Sequence, residues 1–439
     1  MNKLSQKIQD WLDSFPEFEQ DDTLNIPEEK YTEAAKLFIE KMSNNYPFQH
    51  PLYAGQMLKP PHQVALEAYS AAMLINPNNH ALDGGPATAE MEKELIREYA
   101  DLFGFEEPLG HLTTSGTIAN FEALLIARET HPGKAIAFSN QAHYTHSRVC
   151  GWLKIDTFAI ESDQFGRMDL QDLELHLQTG KIGTVVVTLA TTSLGALDDL
   201  QGILELQKKY NFRIHVDAAY GGYFKLIASN NPALSGFNLI QFADSITFDP
   251  HKQGLQPYGC GCIIFADASV GRFYKHDSPY TYFTSNELHL GEISVECSRA
   301  GAAAAALWFT HQIFPLKPSE GFGLIIQKTI DAANLFAQKI KQSSKYSLYL
   351  APETNIVTYF PRAGNTSEIS KKSEKIMLDL MNANKLWIAT LKVDSTQFAK
   401  NHPEVKVNSA ATTILRSCIM KPEQFDWIEK IIEILGNYE

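Results

Sequence analysis

Asp249-Pro250-His251-Lys252 directly follows a short apolar run of the sequence, Ser245-Ile246-Thr247-Phe248. A run of this length and composition predicts a β-strand, which the Asp-Pro pair ends. His215-Val216-Asp217-Ala218-Ala219 has the same form, because an apolar run again leads to an acidic residue. We therefore expect Lys252 and Asp217 at the carboxyl ends of two strands, where open α/β sheets bind their ligands.

Further short apolar runs alternate with amphipathic helical patterns around these two segments. This alternation predicts a mostly parallel sheet between layers of helices, the α/β class. The expected strands are Ala135–Phe138, Thr184–Leu189, Arg213–Val216, Ser245–Phe248 and Gly261–Phe265. The expected helices in this part of the chain are Val64–Leu74, Thr88–Phe103 and Ile118–Arg128.

The chain has 439 residues, enough for two domains. Residues 1–61 are expected to form an N-terminal helical arm followed by a proline-rich loop, and residues 62–314 a large domain. Residues 315–439 are expected to form a smaller α+β domain. Its predicted elements are helices Leu324–Gln342 and Pro422–Leu435 and strands Ile356–Phe360, Trp387–Ala389 and Thr412–Arg416.

The composition is that of an ordinary globular protein, with 44% hydrophobic and 20% charged residues. The 38 basic and 51 acidic residues give a net charge of −13, which argues against nucleic acid or anionic membrane as a partner. The five cysteines show no C-x-x-C spacing and predict a reducing compartment. Because no signal-peptide pattern or membrane-length apolar run is present, we expect a soluble cytoplasmic protein.

Two polar segments resemble parts of a ligand site. Thr113-Thr114-Ser115-Gly116-Thr117-Ile118-Ala119-Asn120 leads into a helical pattern, and a helix N-terminus with hydroxyl groups and a glycine can bind a phosphate. The alternative is an ordinary Ser/Thr N-cap. His143 follows the strand Ala135–Phe138 and could stack on a flat ring, although a lone histidine is more often structural.

Lys252 and Asp217 are the residue types that pyridoxal phosphate requires. A lysine amine holds the cofactor aldehyde as a Schiff base, and a carboxylate keeps the pyridine nitrogen protonated so that the ring accepts electrons. A buried Asp217 needs a cationic or hydrogen-bonding partner. A pyridinium would serve, and the alternatives are a helix N-terminus or an arginine. For Lys252 the alternative is an ordinary surface lysine.

In this order the segments resemble the group II pyridoxal-phosphate-dependent amino-acid decarboxylases of the fold type I superfamily. The resemblance extends from about His50 to Arg416. It implies a PLP-dependent transferase-like fold, with a mostly parallel sheet in the large domain and a smaller C-terminal α+β domain, and a homodimer. The matching segments are Gly85-Pro86-Ala87-Thr88-Ala89-Glu90, Thr114-Ser115-Gly116-Thr117, Gln141-Ala142-His143, His215-Val216-Asp217-Ala218-Ala219, Asp249-Pro250-His251-Lys252, Glu296-Cys297-Ser298-Arg299, Leu307-Trp308 and Leu415-Arg416.

The resemblance implies roles for the residues nearest the cofactor ring. Lys252 would form the Schiff base, with His251 beside it, and Asp217 would pair with the pyridine nitrogen. Ala219 and His143 would contact opposite faces of the ring. No metal ion is implied.

It also implies roles for the phosphate end and for proton transfer. The segment Ser115-Gly116-Thr117 would hold the phosphate, and Thr191 would lie beside a cofactor oxygen. The family usually has glycine where this chain has Ala190. A loop tyrosine would protonate the substrate Cα, and Tyr282 is preferred over Tyr280. His143 could also deliver this proton.

The substrate side is the least defined part of the predicted site. Arg416 resembles the arginine that binds the substrate carboxylate, and the alternative is a structural ion pair. His50, Tyr53 and Gln56 lie in a segment that resembles the lining of the substrate entrance. The identity of the amino acid stays open.

The predicted function is the decarboxylation of an L-amino acid to its amine. One alternative is another pyridoxal-phosphate lyase, acting on a carbon–carbon or carbon–sulfur bond, or an aldehyde-forming variant, since Lys252 and Asp217 would serve these reactions equally. A second alternative is a catalytically silent binding protein. That alternative predicts the loss of Lys252 or Asp217, and both are present.

Overall fold

The computed structural model describes residues 2–274 and 289–438. Tyr280 and Tyr282, the two predicted proton donors, lie outside the described residues. Within those residues, no helix combines the length and the apolar character that crossing a membrane would require.

A seven-stranded sheet forms the centre of the first part of the chain. Its strands are β1 (Leu109–Thr113), β2 (Ala135–Ser139), β3 (Thr157–Ile160), β4 (Ile182–Thr188), β5 (Arg213–Asp217), β6 (Ser245–Phe248) and β7 (Gly261–Phe265). They lie in the order β1-β7-β6-β5-β4-β2-β3. All neighbours from β3 to β6 pair in parallel, whereas β7 is antiparallel to both β6 and β1. The mostly parallel sheet predicted from the sequence is therefore confirmed.

Helices occur throughout the described residues. They are α1 (Lys3–Leu12), α2 (Glu28–Met42), α3 (Gln63–Met73), α4 (Pro86–Phe103), α5 (Gly116–Thr130), α6 (Thr145–Leu153), α7 (Leu170–Leu177), α8 (Leu200–Tyr210), α9 (Pro250–Gln253), α10 (Gly301–Ile313), α11 (Phe322–Gln342), α12 (Thr366–Asn382), α13 (Ser395–Asn401) and α14 (Gln424–Gly436). Short 3-10 helices add Asp22–Leu24, Gly222–Asn230, Pro232–Phe242, Ala268–Phe273 and Leu290–Glu292.

The central strands are buried on both faces of the large sheet. In β4, Val185 and Val187 belong to one apolar cluster with Ile203 of α8, whereas Val186 belongs to another with Leu124 of α5. Helices on both faces explain why these strands are continuous apolar runs rather than alternating ones. The parallel direction also brings the carboxyl ends of β2, β4, β5 and β6 to one edge, where ligand sites form.

A four-stranded antiparallel sheet forms the second part of the chain. The strands after β7 are β8 (Leu316–Lys317), β9 (Glu320–Gly321), β10 (Tyr346–Leu350), β11 (Ile356–Pro361), β12 (Ala389–Asp394) and β13 (Ala411–Cys418). The sheet has the order β10-β11-β13-β12, and β8 pairs with β9 alone. Its core includes Phe336 of α11, Tyr359 of β11 and Ile428 of α14.

One predicted strand of this part is displaced. The apolar residues Trp387–Ala389 were expected to be a strand, but β12 begins where that run ends. The reason is that β12 lies at the edge of the sheet and pairs only with β13, so that most of its residues are partly exposed and need not be apolar.

The N-terminal arm contacts the large part through its first helix. Helix α1 packs against α3, and Asn2 Nδ2 donates a hydrogen bond to the Glu67 carbonyl oxygen (3.3 Å). Helix α2 has no buried residue. The domain boundaries after residues 61 and 314 stay predictions, and the latter falls just after α10.

Candidate active site

A cavity of about 250 Å³ lies at the carboxyl edge of the large sheet. Eight of the predicted site residues line it together: Ser115, Gly116, Thr117, His143, Asp217, Ala219, His251 and Lys252. They come from four separate parts of the chain, which the ends of β1, β2, β5 and β6 bring to one place. The cavity is therefore the candidate active site.

Asp217 is the last residue of β5 and is buried in the wall of this cavity. Its Oδ2 accepts a hydrogen bond from His146 Nε2 (2.7 Å), and its Oδ1 accepts one from the Ala219 N–H (3.0 Å). Burial alone would raise the pKa of Asp217, but the hydrogen bond and charge of His146 hold it below its ordinary value. The carboxylate is thus ionised.

His146 is the partner that Asp217 was expected to need, and the sequence interpretation missed it. It lies in the first turn of α6, three residues after His143. His143 itself precedes α6, so helical spacing does not relate the two residues, and the sequence carried no signal that pairs His146 with Asp217. Among the described residues, the partners of Asp217 are this imidazole and the Ala219 N–H, and not the helix N-terminus or the arginine considered as alternatives.

Lys252 lies in α9, the single helical turn that follows β6. Its side chain is 23% exposed and its Nζ is 2.9 Å from Asp249 Oδ2. Asp249 is buried, and its Oδ1 has no hydrogen-bond partner among the described residues. Beside it, His251 Nδ1 donates to the Cys260 carbonyl oxygen (2.8 Å). Lys252 therefore lines the cavity with a largely buried side chain, unlike an ordinary surface lysine.

The predicted phosphate cradle is the N-terminus of α5. Ser115 is the N-cap, and its Oγ accepts a hydrogen bond from the Ile118 N–H (3.3 Å). The N-cap and the cradle are therefore compatible, because the first N–H groups of a helix have no partner within it. Glu296 was not predicted to take part, yet it accepts hydrogen bonds from Thr114 N (2.8 Å) and Thr114 Oγ1 (2.5 Å). Glu296 thereby holds Thr114, the residue that precedes Ser115 at the start of the cradle, in place.

His143 is half-buried at the cavity wall. Its Nδ1 is 3.3 Å from the Thr145 backbone N–H and 2.7 Å from Thr145 Oγ1. Because a backbone N–H can only donate, Nδ1 accepts, and the neutral ring then carries its proton on Nε2. Burial lowers the pKa of His143, an effect that the nearby Asp217 carboxylate opposes and that Lys252 and His146 reinforce. The ring is thus a neutral imidazole with one transferable proton.

Thr191 does not line the cavity, although Ala190 and Thr192 do. Thr191 is fully buried, and its Oγ1 accepts a hydrogen bond from the Ala196 N–H (3.0 Å). Its contact with the cofactor stays a prediction. Ala190 has a φ of 85°, in the left-handed region that favours glycine. This backbone conformation explains why glycine would be the usual residue there.

Arg416 lies in β13 of the small sheet, is buried, and is not among the residues that line the cavity. Its Nε donates to the Ser193 carbonyl oxygen (3.1 Å), and one terminal nitrogen donates to that of Thr192 (2.7 Å). These bonds link the small sheet to a residue that lines the cavity. Among the described residues, Arg416 forms no ion pair, so the structural ion pair considered as the alternative is not found there.

The structure does not bring His50, Tyr53 and Gln56 into the lining of this cavity. Tyr53 and Gln56 line a second cavity of about 220 Å³, next to Trp387. His50 packs edge-on against Trp427, with ring centroids 4.9 Å apart. Their contact with a substrate stays a prediction.

The residues of the site fit pyridoxal phosphate. The cavity offers a carboxylate for a protonated ring nitrogen, a primary amine for an aldehyde and a helix N-terminus for a phosphate. A Cβ added at Gly116 would come within 2.6 Å of Asp249 Oδ2, so that glycine is what lets the start of α5 lie this close to Asp249. The unpartnered Oδ1 of the buried Asp249 also points to a bound group.

The chain is similar in sequence and in fold to several known proteins. An L-tyrosine decarboxylase of Enterococcus faecium is 29% identical over 66% of this chain and 64% of its own length. A probable L-aspartate decarboxylase of Pyrococcus abyssi is 28% identical over 74% of this chain and 84% of its own length. A crystal structure of mouse CSAD superposes with a TM-score of 0.80 at 20% identity, over 98% of this chain and 91% of that chain.

The structural likeness bears on the fold, and the family of the chain is shown by a family model. The likeness to mouse CSAD supports the predicted fold type I architecture. Residues 49–362 match the family model described as the pyridoxal-dependent decarboxylase conserved domain. The predicted family, fold class, enzyme class and cofactor are thereby confirmed. The chain belongs to the pyridoxal-dependent decarboxylase family.

Proposed function

We propose that this protein releases the carboxyl group of an L-amino acid as CO2 and produces the corresponding amine, with pyridoxal phosphate bound in the cavity at the edge of the large sheet. The observation that carries this proposal is that Lys252 and Asp217 line one cavity together with the N-terminus of α5. Membership in the family supports the choice of decarboxylation among the reactions that such a cavity could perform.

The binding roles follow from the chemistry of each side chain. Lys252 Nζ would hold the cofactor aldehyde, Asp217 would hold the proton of the pyridine nitrogen, and the α5 N-terminus would hold the phosphate. When bound, the cofactor supplies the electron sink for the pair left behind by CO2. His143 and Ala219 would position the ring between them.

Binding and protonation of the substrate complete the proposed reaction. Arg416, which is fixed beside Thr192 of the cavity lining, would bind a carboxylate. After CO2 leaves, Cα must receive a proton. His143 can supply one from Nε2, since its Nδ1 is held as an acceptor by Thr145. Tyr282 and Tyr280 remain the other candidates for this step.

Product analysis of the purified, pyridoxal-phosphate-loaded protein tests the proposal. We expect CO2 and an amine from at least one amino acid of a panel that includes L-tyrosine, L-aspartate and L-glutamate, which the relatives' names suggest. Aldehyde with ammonia would instead indicate the aldehyde-forming variant. If the protein released CO2 from none of the common amino acids, decarboxylation would be refuted, but cofactor binding would not.

Gly116→Ala is expected to weaken the binding of pyridoxal phosphate about tenfold or more. The added Cβ would lie 2.6 Å from Asp249 Oδ2, at the cradle proposed for the phosphate. The dissociation constant can be measured from cofactor absorbance in a titration. Gly151→Ala is the control, because a Cβ on that glycine in α6 meets no atom within 4 Å. Equal affinities of the two variants would contradict a phosphate site at α5.

We also propose that the protein is a homodimer and that α2 contributes to the interface. Leu37, Phe38, Ile39 and Met42 leave an apolar surface exposed on this helix, a feature typical of a protein contact. We expect a mass about twice the 49.1 kDa of the chain in analytical ultracentrifugation. Phe38→Asp should shift it toward that of the monomer. Leu175→Asp alters a side chain on α7 that is equally exposed (63%) and should leave the mass unchanged.

We propose a cytoplasmic location. The support for it is that all five cysteines are free thiols, as expected in a reducing compartment.

A further inference from the structure

His146 is a buried histidine whose only hydrogen bond through its ring, among the described residues, goes to the proposed cofactor partner Asp217. Its Nε2 is 2.7 Å from Asp217 Oδ2, and both side chains are almost completely buried. Its other ring nitrogen, Nδ1, has no partner in the described part of the chain. A structural histidine normally satisfies both nitrogens when it is buried. This imidazole is therefore placed for its contact with one carboxylate.

The direction of the hydrogen bond is fixed by the charge of Asp217. An ionised carboxylate can only accept, so His146 Nε2 carries the hydrogen. In the described residues, His146 is also the one side chain within ion-pair distance of this carboxylate. The remaining lone pairs of Asp217 are thus left for the Ala219 N–H and for a group in the cavity.

The other titratable groups around Asp217 cannot replace His146. His215 lies two residues earlier in β5, but its ring nitrogens contact Asn120 and Ser245, and burial lowers its pKa to about 3. On the cavity side, His143 is a neutral imidazole, and Lys252 is paired with Asp249. His146 is therefore the main group that favours the ionised form of Asp217.

We infer that His146 is a positioning residue that keeps Asp217 ionised and oriented, and that it thereby maintains the protonated pyridine nitrogen of the bound cofactor. This inference rests on the proposed function. It gives His146 an indirect role, since it acts through the carboxylate and does not line the cavity. Two histidines three residues apart in the sequence thereby have different roles. His143 lines the cavity, whereas His146 contacts Asp217 without lining the cavity.

Loss of the His146 hydrogen bond should make cofactor binding sensitive to acid. Burial raises the pKa of the Asp217 carboxyl, and the effect of His146 outweighs it in the native protein. Without His146, burial would raise the pKa of Asp217, so that the carboxylate would take up a proton more readily as the pH falls and the pyridinium would lose its counter-ion. Affinity for pyridoxal phosphate should therefore be lost at low pH in such a variant, while the native protein retains it.

Three variants separate this role from simple packing. His146→Leu removes the donor at similar volume, His146→Gln retains an N–H donor, and Phe138→Leu changes a ring 5.9 Å from His146 without touching the carboxylate. The dissociation constant of pyridoxal phosphate is measured by absorbance at pH 8 and pH 6 for all of them. Thermal unfolding of the cofactor-free proteins shows whether each variant is folded.

We expect His146→Leu to bind the cofactor about tenfold more weakly at pH 8, and to lose about a further fivefold at pH 6. His146→Gln and Phe138→Leu should stay within about threefold of the native protein at both values. Native-like binding by folded His146→Leu at both pH values, or an equal loss in His146→Gln, would overturn the inference. Failure of the native protein itself to bind pyridoxal phosphate would instead refute the proposed function.

Discussion

Lys252→Ala is expected to release CO2 at a rate at least about 10³-fold below that of the native protein. The Lys252 amine is the primary amine in the lining of the candidate site, and without it the cofactor aldehyde has no group to hold it there. The absorbance band of the loaded native protein near the visible edge should also disappear. Both effects are measured on purified protein after the addition of pyridoxal phosphate.

A surface lysine provides the control for this experiment. Lys208 is exposed on α8 and pairs only with Glu205 among the described residues, so that Lys208→Ala should keep both the activity and the colour. Borohydride reduction of the loaded native protein, followed by peptide mass spectrometry, should place the cofactor on Lys252. A coloured, active Lys252→Ala protein would contradict the assignment. A colourless native protein would favour the silent binding protein.

The central strands could be predicted from the sequence because helices cover both of their faces. Residues 213–217 and 245–248 are almost entirely buried, and burial on both faces requires the apolar runs that identify strands. Strands β1 and β3 were not predicted. In β1, Gly110 and His111 interrupt the run, and Gly110 is required because a Cβ would lie 2.6 Å from the Ile263 carbonyl oxygen. Strand β3 is an edge strand with exposed residues.

The candidate site could be predicted where its residues belong to one local segment, and not where distant segments meet. Asp249, His251 and Lys252 share a single turn after β6, so that their proximity follows from the chain itself. His146 and Asp217 are separated by 71 residues, and their contact depends on how α6 packs beside β5. Glu296 reaches Thr114 across 182 residues. Such contacts depend on tertiary packing, which a single sequence does not contain.

Asp217→Asn should lower the rate of CO2 release by about 10²- to 10³-fold, the range typical for the loss of one preorganised electrostatic partner. An amide carries no charge and cannot stabilise a protonated pyridine nitrogen. The fold should persist, because the amide oxygen of the substituted side chain can still accept the hydrogen bond from His146 Nε2. The rate is measured by product analysis, and the fold by thermal unfolding.

Asp244→Asn is the matched control for this variant. Asp244 accepts a hydrogen bond from the Ile214 N–H (2.7 Å) at the opposite end of β5, away from the cavity. The loss of the Asp244 charge should affect stability more than catalysis.

The pH dependence of stability gives a second test of the Asp217 charge. The pKa of Asp217 lies below its ordinary value, so the ionised carboxylate stabilises the folded protein. This contribution is fully present above the carboxyl pKa of the unfolded chain and is lost as the pH falls through the lower pKa of the folded state. Asp217→Asn should therefore lose less stability than the native protein as the pH falls through that lower value. If the variant kept native activity, the charge of Asp217 would not be the source of the electron sink, and the proposed mechanism would fail at its central step.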